Sequence, residues 1–168
     1  MRMELIQPFI NATDAVLAEM LPGPTRVSDI TMDDEAYQRK GIAASVAIRG
    51  DIEGHVIFDL ETHTALRVAA ALAEGEVNPT EQLAAETVCE LANVVIGNAV
   101  TLLNDYGHSF KVYPPVLHTA EKGCLGSRDR ETVVMCFHTQ SGKVHLNIAL
   151  DYSRQRSRSS QESYGREK

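Results

Sequence analysis

Leu5, Ile6, Phe9, Ile10, Val16, Leu17, Met20 and Leu21 recur close to every 3.6 positions, and Pro22-Gly23-Pro24 then breaks the pattern. This period predicts an amphipathic first helix. Pro8 lies inside it and sets the expected start of its regular part, because proline is best tolerated in a first turn. Residues 27–37 are acidic and carry little period. Ile42, Ala44, Val46 and Ile48 then alternate with small or polar residues, and after Arg49-Gly50-Asp51 a second run over 55–60 continues the strand signal. The two runs predict a hairpin. Thr62-His63-Thr64 opens an Ala-rich helix over 65–74, which Gly75 ends. Thr80 caps a much longer helix reaching Tyr106, with acidic Glu81 suiting its N-terminus and Gly107 its C-cap.

Three further strands are predicted over 110–117, 132–137 and 144–150, the last two joined by a hairpin loop over 139–143. Pro114 and Pro115 restrict the first of them to a sheet edge. Residues 121–130 read as a polar connection. The order helix, two strands, two helices, three strands predicts an α+β fold: an antiparallel or mixed sheet with long helices packed on one face. One domain is expected over residues 1–152. Residues 153–168 are Ser, Arg, Gln and Glu with almost no apolar content, which predicts a disordered polar tail.

Composition narrows the function classes. Hydrophobic residues make up 43% of the 168-residue chain but Trp is absent, so the core must be aliphatic. Formal net charge is −7, which disfavours nucleic-acid binding, and the one basic cluster, 154–158, lies in the tail. Cys89, Cys124 and Cys136 are odd in number and lack CxxC spacing, so reduced thiols are expected. The six histidines are scattered without HxH or HExxH pairing, which argues against a metal site. Residues 1–11 are too polar for a signal peptide and no run reaches ~18 apolar residues, so a cytoplasmic location with no membrane partner is expected.

The long helix carries the chemistry. It is apolar nearly all round, except that Glu86, Glu90, Asn93 and Gly97 fall within one arc of roughly 60° at ~100° per residue. An ordinary solvent face is rich in Lys, Arg, Glu and Gln, yet this strip has no basic residue. Asn is a mediocre mid-helix residue and Gly costs ~1 kcal/mol against Ala. Local rules broken on an exposed strip point to a functional site. Gly97 would also let another backbone or a partner protein approach closely. Asn98 projects ~140° from Asn93 among apolar residues, so it is expected to be buried, hydrogen-bonded and structural.

The segment Glu90-Leu91-Ala92-Asn93-Val94-Val95-Ile96-Gly97-Asn98 resembles the ExxNxxxGN signature of the CheC, CheX and FliY phosphatases of bacterial chemotaxis. All four fixed positions match, on the second of two consecutive helices after a strand pair. Where that family has Asp or Ser four residues before the Glu, this chain has Glu86. One intact signature is present, as in CheX, although Glu4, Gln7 and Asn11 of the first helix faintly echo it.

The resemblance implies hydrolysis of the phosphoaspartate of a CheY-like response regulator. Glu90 and Asn93 would be the catalytic pair: Asn93 inserts into the regulator's active site and orients water, while Glu90 pairs with the regulator's lysine. Glu86, Glu90 and Gly97 would touch the partner. It further implies no cofactor of the protein's own, Mg²⁺ held by the regulator, and a homodimer joined at sheet edges. The rival reading is a non-catalytic module that recognises or sequesters a receiver domain, or serves only to dimerise.

Overall fold

The computed structural model describes residues 3–28, 30–33, 36–73, 78–119, 124–125 and 131–153. Helix α1 spans Met3–Met20, and the hairpin strands β4 (Ile42–Gly50) and β5 (Ile52–Leu60) follow three short strands, β1 (Arg26–Val27), β2 (Thr31–Asp33) and β3 (Tyr37–Gln38). Helices α2 (Thr62–Leu72) and α3 (Glu81–Asp105) come next. The chain closes with β6 (Phe110–Val112), β7 (Val116–His118), β8 (Cys124–Leu125), β9 (Thr132–Thr139) and β10 (Gly142–Tyr152).

The main sheet runs β1-β9-β10-β5-β4-β6, with β2 also on β9 and β7 also on β4. All its pairings are antiparallel, so the fold is α+β as expected. Alternation decides what each face does. Ile42, Ala44, Val46 and Ile48 of β4 and Val56, Phe58 and Leu60 of β5 point to one side, where they join α1, α2 and α3 in one hydrophobic core, mostly aliphatic but centred partly on the buried rings of Phe9, Phe58 and Phe137. On the other side Ala43 and Ile57 meet Tyr37 and Leu125 of the separate β3–β8 ribbon.

Three departures from the sequence reading have local causes. Helix α1 does not wait for Pro8 but runs through it, with Leu5 and Ile6 fully buried. An interior proline costs ~3 kcal/mol, while burying two large aliphatic side chains returns ~1.5–3 kcal/mol each, so burial wins. Strand β5 starts three residues earlier than its apolar run, and Gly54 is a working strand residue within it at φ +145°. A Cβ there would collide with the Ala149 carbonyl oxygen of β10, so only glycine fits. The loop joining β9 to β10 shrinks to Gln140-Ser141, since Gly142 already pairs with Thr139.

Proline does break the expected strand over 110–117 into β6 and β7, both held on the outer side of β4. The strands β1, β2 and β3 have two or three residues each, and all but Tyr37 are exposed, too short for a period to register. Of the expected polar connection over 121–130, Cys124–Leu125 forms β8 and the rest lies outside the described residues. Gly75 and residues 154–168 also lie outside them. Ser153, assigned from sequence to the tail, is buried and donates its backbone N–H to the Asp51 carbonyl at 2.9 Å.

Candidate functional site

The site rests on α3, whose start is built as its sequence dictates: the Thr80 side chain accepts from the Leu83 N–H at 3.1 Å. At the other end Gly107 sits at φ +88° and its N–H reaches the Asn104 carbonyl. Between these caps Val88, Leu91, Ala92, Val95 and Ala99 are at most 1% exposed, with α1 and α2 packed alongside and β4 beneath. By length and composition α3 could cross a membrane, with an 18-residue window of mean hydropathy 1.3. Here it is a core helix of the domain.

Glu86, Glu90, Asn93 and Gly97 are all exposed and share one strip along α3. Glu90 and Asn93 stand one turn apart, an axial rise of ~4.5 Å. Neither side chain makes a hydrogen bond or ion pair among the described residues. Glu86 receives one 3.4 Å contact from Gln82 Nε2. A Cβ built on Gly97 would meet nothing within 4 Å, so no contact inside this chain calls for glycine there.

The echo on α1 differs. Gln7 Nε2 donates to Asn11 Oδ1 at 2.8 Å, and Glu4 accepts from the Tyr152 hydroxyl at 3.2 Å. Those side chains are occupied by one another and by β10, whereas the corresponding pair on α3 has no such partner among the described residues.

Asn98 is a correction. It is exposed, not buried, and makes no side-chain hydrogen bond among the described residues. It lies on the same flank of α3 as Leu83 and Thr87, which α2 covers near Ala69, Leu72 and Ala73. Asn98 lies three turns further on, and its neighbours on that flank are exposed as well. Leu102 is 41% exposed and Thr101 is exposed, so the apolar composition of that flank misleads about its burial. Cys89 is a half-buried free thiol, consistent with a small filler.

Beside Glu86 and Glu90, the end of α1, α2 and α3 leave an open groove of ≈ 470 Å³. Its apolar walls come from three separate helices, with Met20 of α1 about fifty residues from the rest, so no linear pattern announces it.

The sheet face away from the helices holds a polar network that sequence reading also missed. Buried Asp59 accepts from the Tyr37 hydroxyl at 2.8 Å and from the N–H groups of Lys40 and Gly41, tying β3 to the start of β4. Burial and the neighbouring Asp59 push the Tyr37 phenol far above its ordinary range. Ser45 Oγ and His118 Nε2 are hydrogen-bonded at 2.9 Å. Burial holds the His118 and His145 imidazoles below the usual histidine range and raises the Cys136 thiol. Among the described residues no group of three or more His, Cys, Asp or Glu could hold a metal ion.

The family model for "Chemotaxis phosphatase CheX" matches residues 42–139, from β4 through β9 and including the whole of α3. The chain belongs to this family. It is similar to the "CheY-P phosphatase CheX" of Thermotoga maritima, at 33% identity over 73 residues. That match covers 43% of this chain and 47% of the relative, so it spans about half of the curated protein's length. Among solved structures, it resembles a CheX-CheY-BeF3-Mg+2 complex from Borrelia burgdorferi, with 29% identity, a TM-score of 0.71, and coverage of 89% of this chain and 99% of that one. A CheC-like superfamily protein from Shewanella sp. PV-4 shares the fold at a TM-score of 0.79 and 19% identity, over 90% of this chain and 99% of that one.

Proposed function

We propose that this protein hydrolyses the phosphoaspartate of a CheY-like response regulator, with Asn93 orienting the attacking water and Glu90 engaging the regulator's active-site lysine. The observation that carries it is a carboxylate and an amide, exposed one turn apart and unengaged among the described residues, followed by a glycine whose Cβ position meets nothing within 4 Å. The Thermotoga relative's name and the Borrelia complex with CheY support the same reading.

A phosphoaspartate is an acyl phosphate and its hydrolysis passes through a loose transition state, so positioning and charge tolerance suffice. Water forms the new O–P bond as the aspartyl oxygen leaves as a carboxylate, and the released proton passes to phosphate or solvent. The Asn93 carbonyl oxygen accepts from that water while its NH₂ donates to the phosphoryl group. Glu90 meets the lysine in a charge-assisted bond that fixes register. Glu86 and Gly97 lie against the regulator on either side. The Mg²⁺ of the reaction belongs to the regulator, and this protein brings no cofactor. The reading makes it a cytoplasmic homodimer paired through a sheet edge.

The test is acyl-phosphate loss from a phosphorylated CheY-like receiver. Asn93→Ala should lose roughly 10²–10³-fold in turnover with complex formation retained, as when a preorganised polar group is deleted. Glu90→Ala should chiefly raise the half-saturating receiver concentration, because its ion pair forms in the ground state too. Near-normal turnover by Asn93→Ala would remove the mechanism. Tight binding by the wild-type protein without phosphate release would assign the sequestering module instead.

A further inference from the structure

We infer that the groove at the junction of α1, α2 and α3 is a second grip on the regulator, receiving an apolar side chain that the receiver carries beside a basic one. This rests on the phosphatase reading above and deepens it. Glu86 and Glu90 form the rim of the groove and are also the first two members of the exposed strip, so a partner engaged at Glu90 must overlie the opening.

Met20, Leu72, Ala73 and Leu83 line the opening with aliphatic and thioether surface, and Met20, Leu72 and Leu83 are only half-buried. An apolar side chain seated there would remove their remaining surface from water, and a flexible Met wall adapts to its shape. At ≈ 470 Å³ the groove is in the range of ~300–1,000 Å³ that holds small ligands, enough for one or two side chains but not a helix.

Charge selects among apolar occupants. Helix α3 contains no Lys or Arg, and among the described residues no cation lies within ion-pair distance of Glu86 or Glu90. Two uncompensated carboxylates on the rim repel an anionic ligand and favour a cation set next to the inserted side chain. A receiver offering its lysine to Glu90 meets that requirement, and its neighbouring apolar residue is the occupant.

The experiment measures steady-state kinetics on a receiver that the wild-type protein dephosphorylates, phosphorylated with acetyl phosphate. Ala73 is exposed at the mouth of the groove, so Ala73→Trp should block it without entering the core. The expected result is a rise of roughly tenfold in half-saturating receiver concentration with maximal turnover unchanged, since the change lies away from Asn93. Met20→Ala, which removes one wall, should raise it in the same direction, and it decides the matter if Ala73→Trp melts early by circular dichroism. Lys111→Ala on the distant β6 should change neither parameter. A wild-type half-saturation in folded Ala73→Trp and Met20→Ala overturns the groove and leaves the phosphatase reading standing. Absence of any turnover by the wild-type protein overturns both.

Discussion

At the scale of single residues, Gly97 and Asn98 separate what helix composition implies from what the neighbours impose. A Cβ on Gly97 meets nothing, and Ala is ~1 kcal/mol better than Gly in a helix interior. Gly97→Ala should therefore raise Tm by about 2–4 °C, read by thermal melting, while weakening receiver binding if a partner closes over that position. A more stable variant with unchanged half-saturation would mean that nothing approaches there. Asn98 projects toward the apolar side of a helical wheel, yet it is exposed. Asn98→Ala should change stability by only about 0.5 kcal/mol or less in a denaturant titration, the usual result for an exposed side chain. A loss of several kcal/mol would show that it holds the structure after all.

The elements show the same division. Helix α3 was legible because its cap, its length and its polar strip are all local properties, recorded in consecutive residues. The short strands β1 to β3 were not, because they exist only by pairing with β9 and β8, 86 to 112 positions away by their registers (Tyr37↔Leu125 is 88, Arg26↔His138 is 112, Gln38↔Cys124 is 86). The pairing of β10 with β5 and β9 likewise creates a polar face, on which His145 sits opposite Asp59 and Cys136 in adjacent strands. His145 and His118 have folded pKa values below their unfolded value of ~6.5, so in that window the unfolded chain binds more protons. Their share of stability is intact above pH ~6.5 and is lost as pH falls from there through the lower folded values. Melting temperatures between pH 7.5 and 5 should fall accordingly, and His145→Gln should flatten part of the slope. An unchanged pH dependence in His145→Gln would show that this imidazole is not a source of it.

For the whole molecule, both edges of the main sheet carry exposed apolar residues. Ile30 and Met32 are 43% and 56% exposed at the β1–β2 edge, and Val116 and Leu117 are 56% and 38% exposed on β7 at the other. Edge strands with apolar exposure favour pairing with another chain. The proposed homodimer should therefore appear as twice the 18.4 kDa chain mass by light scattering at micromolar concentration. A monomer at that concentration would remove the sheet-edge dimer. Placing Asp at Val116 and, separately, at Met32 should identify the edge by which of the two dissociates the dimer.

The sequence alone determined the order of the long elements, the α+β class, the capped helix α3 and the strip of Glu86, Glu90, Asn93 and Gly97, because periodicity and spacing along one helix are local geometry. It also pointed to the family through four fixed positions on that helix. Tertiary structure decided the rest: that Pro8 lies within α1, that Gly54 belongs to β5, that Asn98 faces solvent, that the α1 echo is internally hydrogen-bonded, and that an apolar groove opens beside Glu90. Each depends on which distant segment covers a given surface, and burial is a property of neighbours in space that no single stretch of chain records.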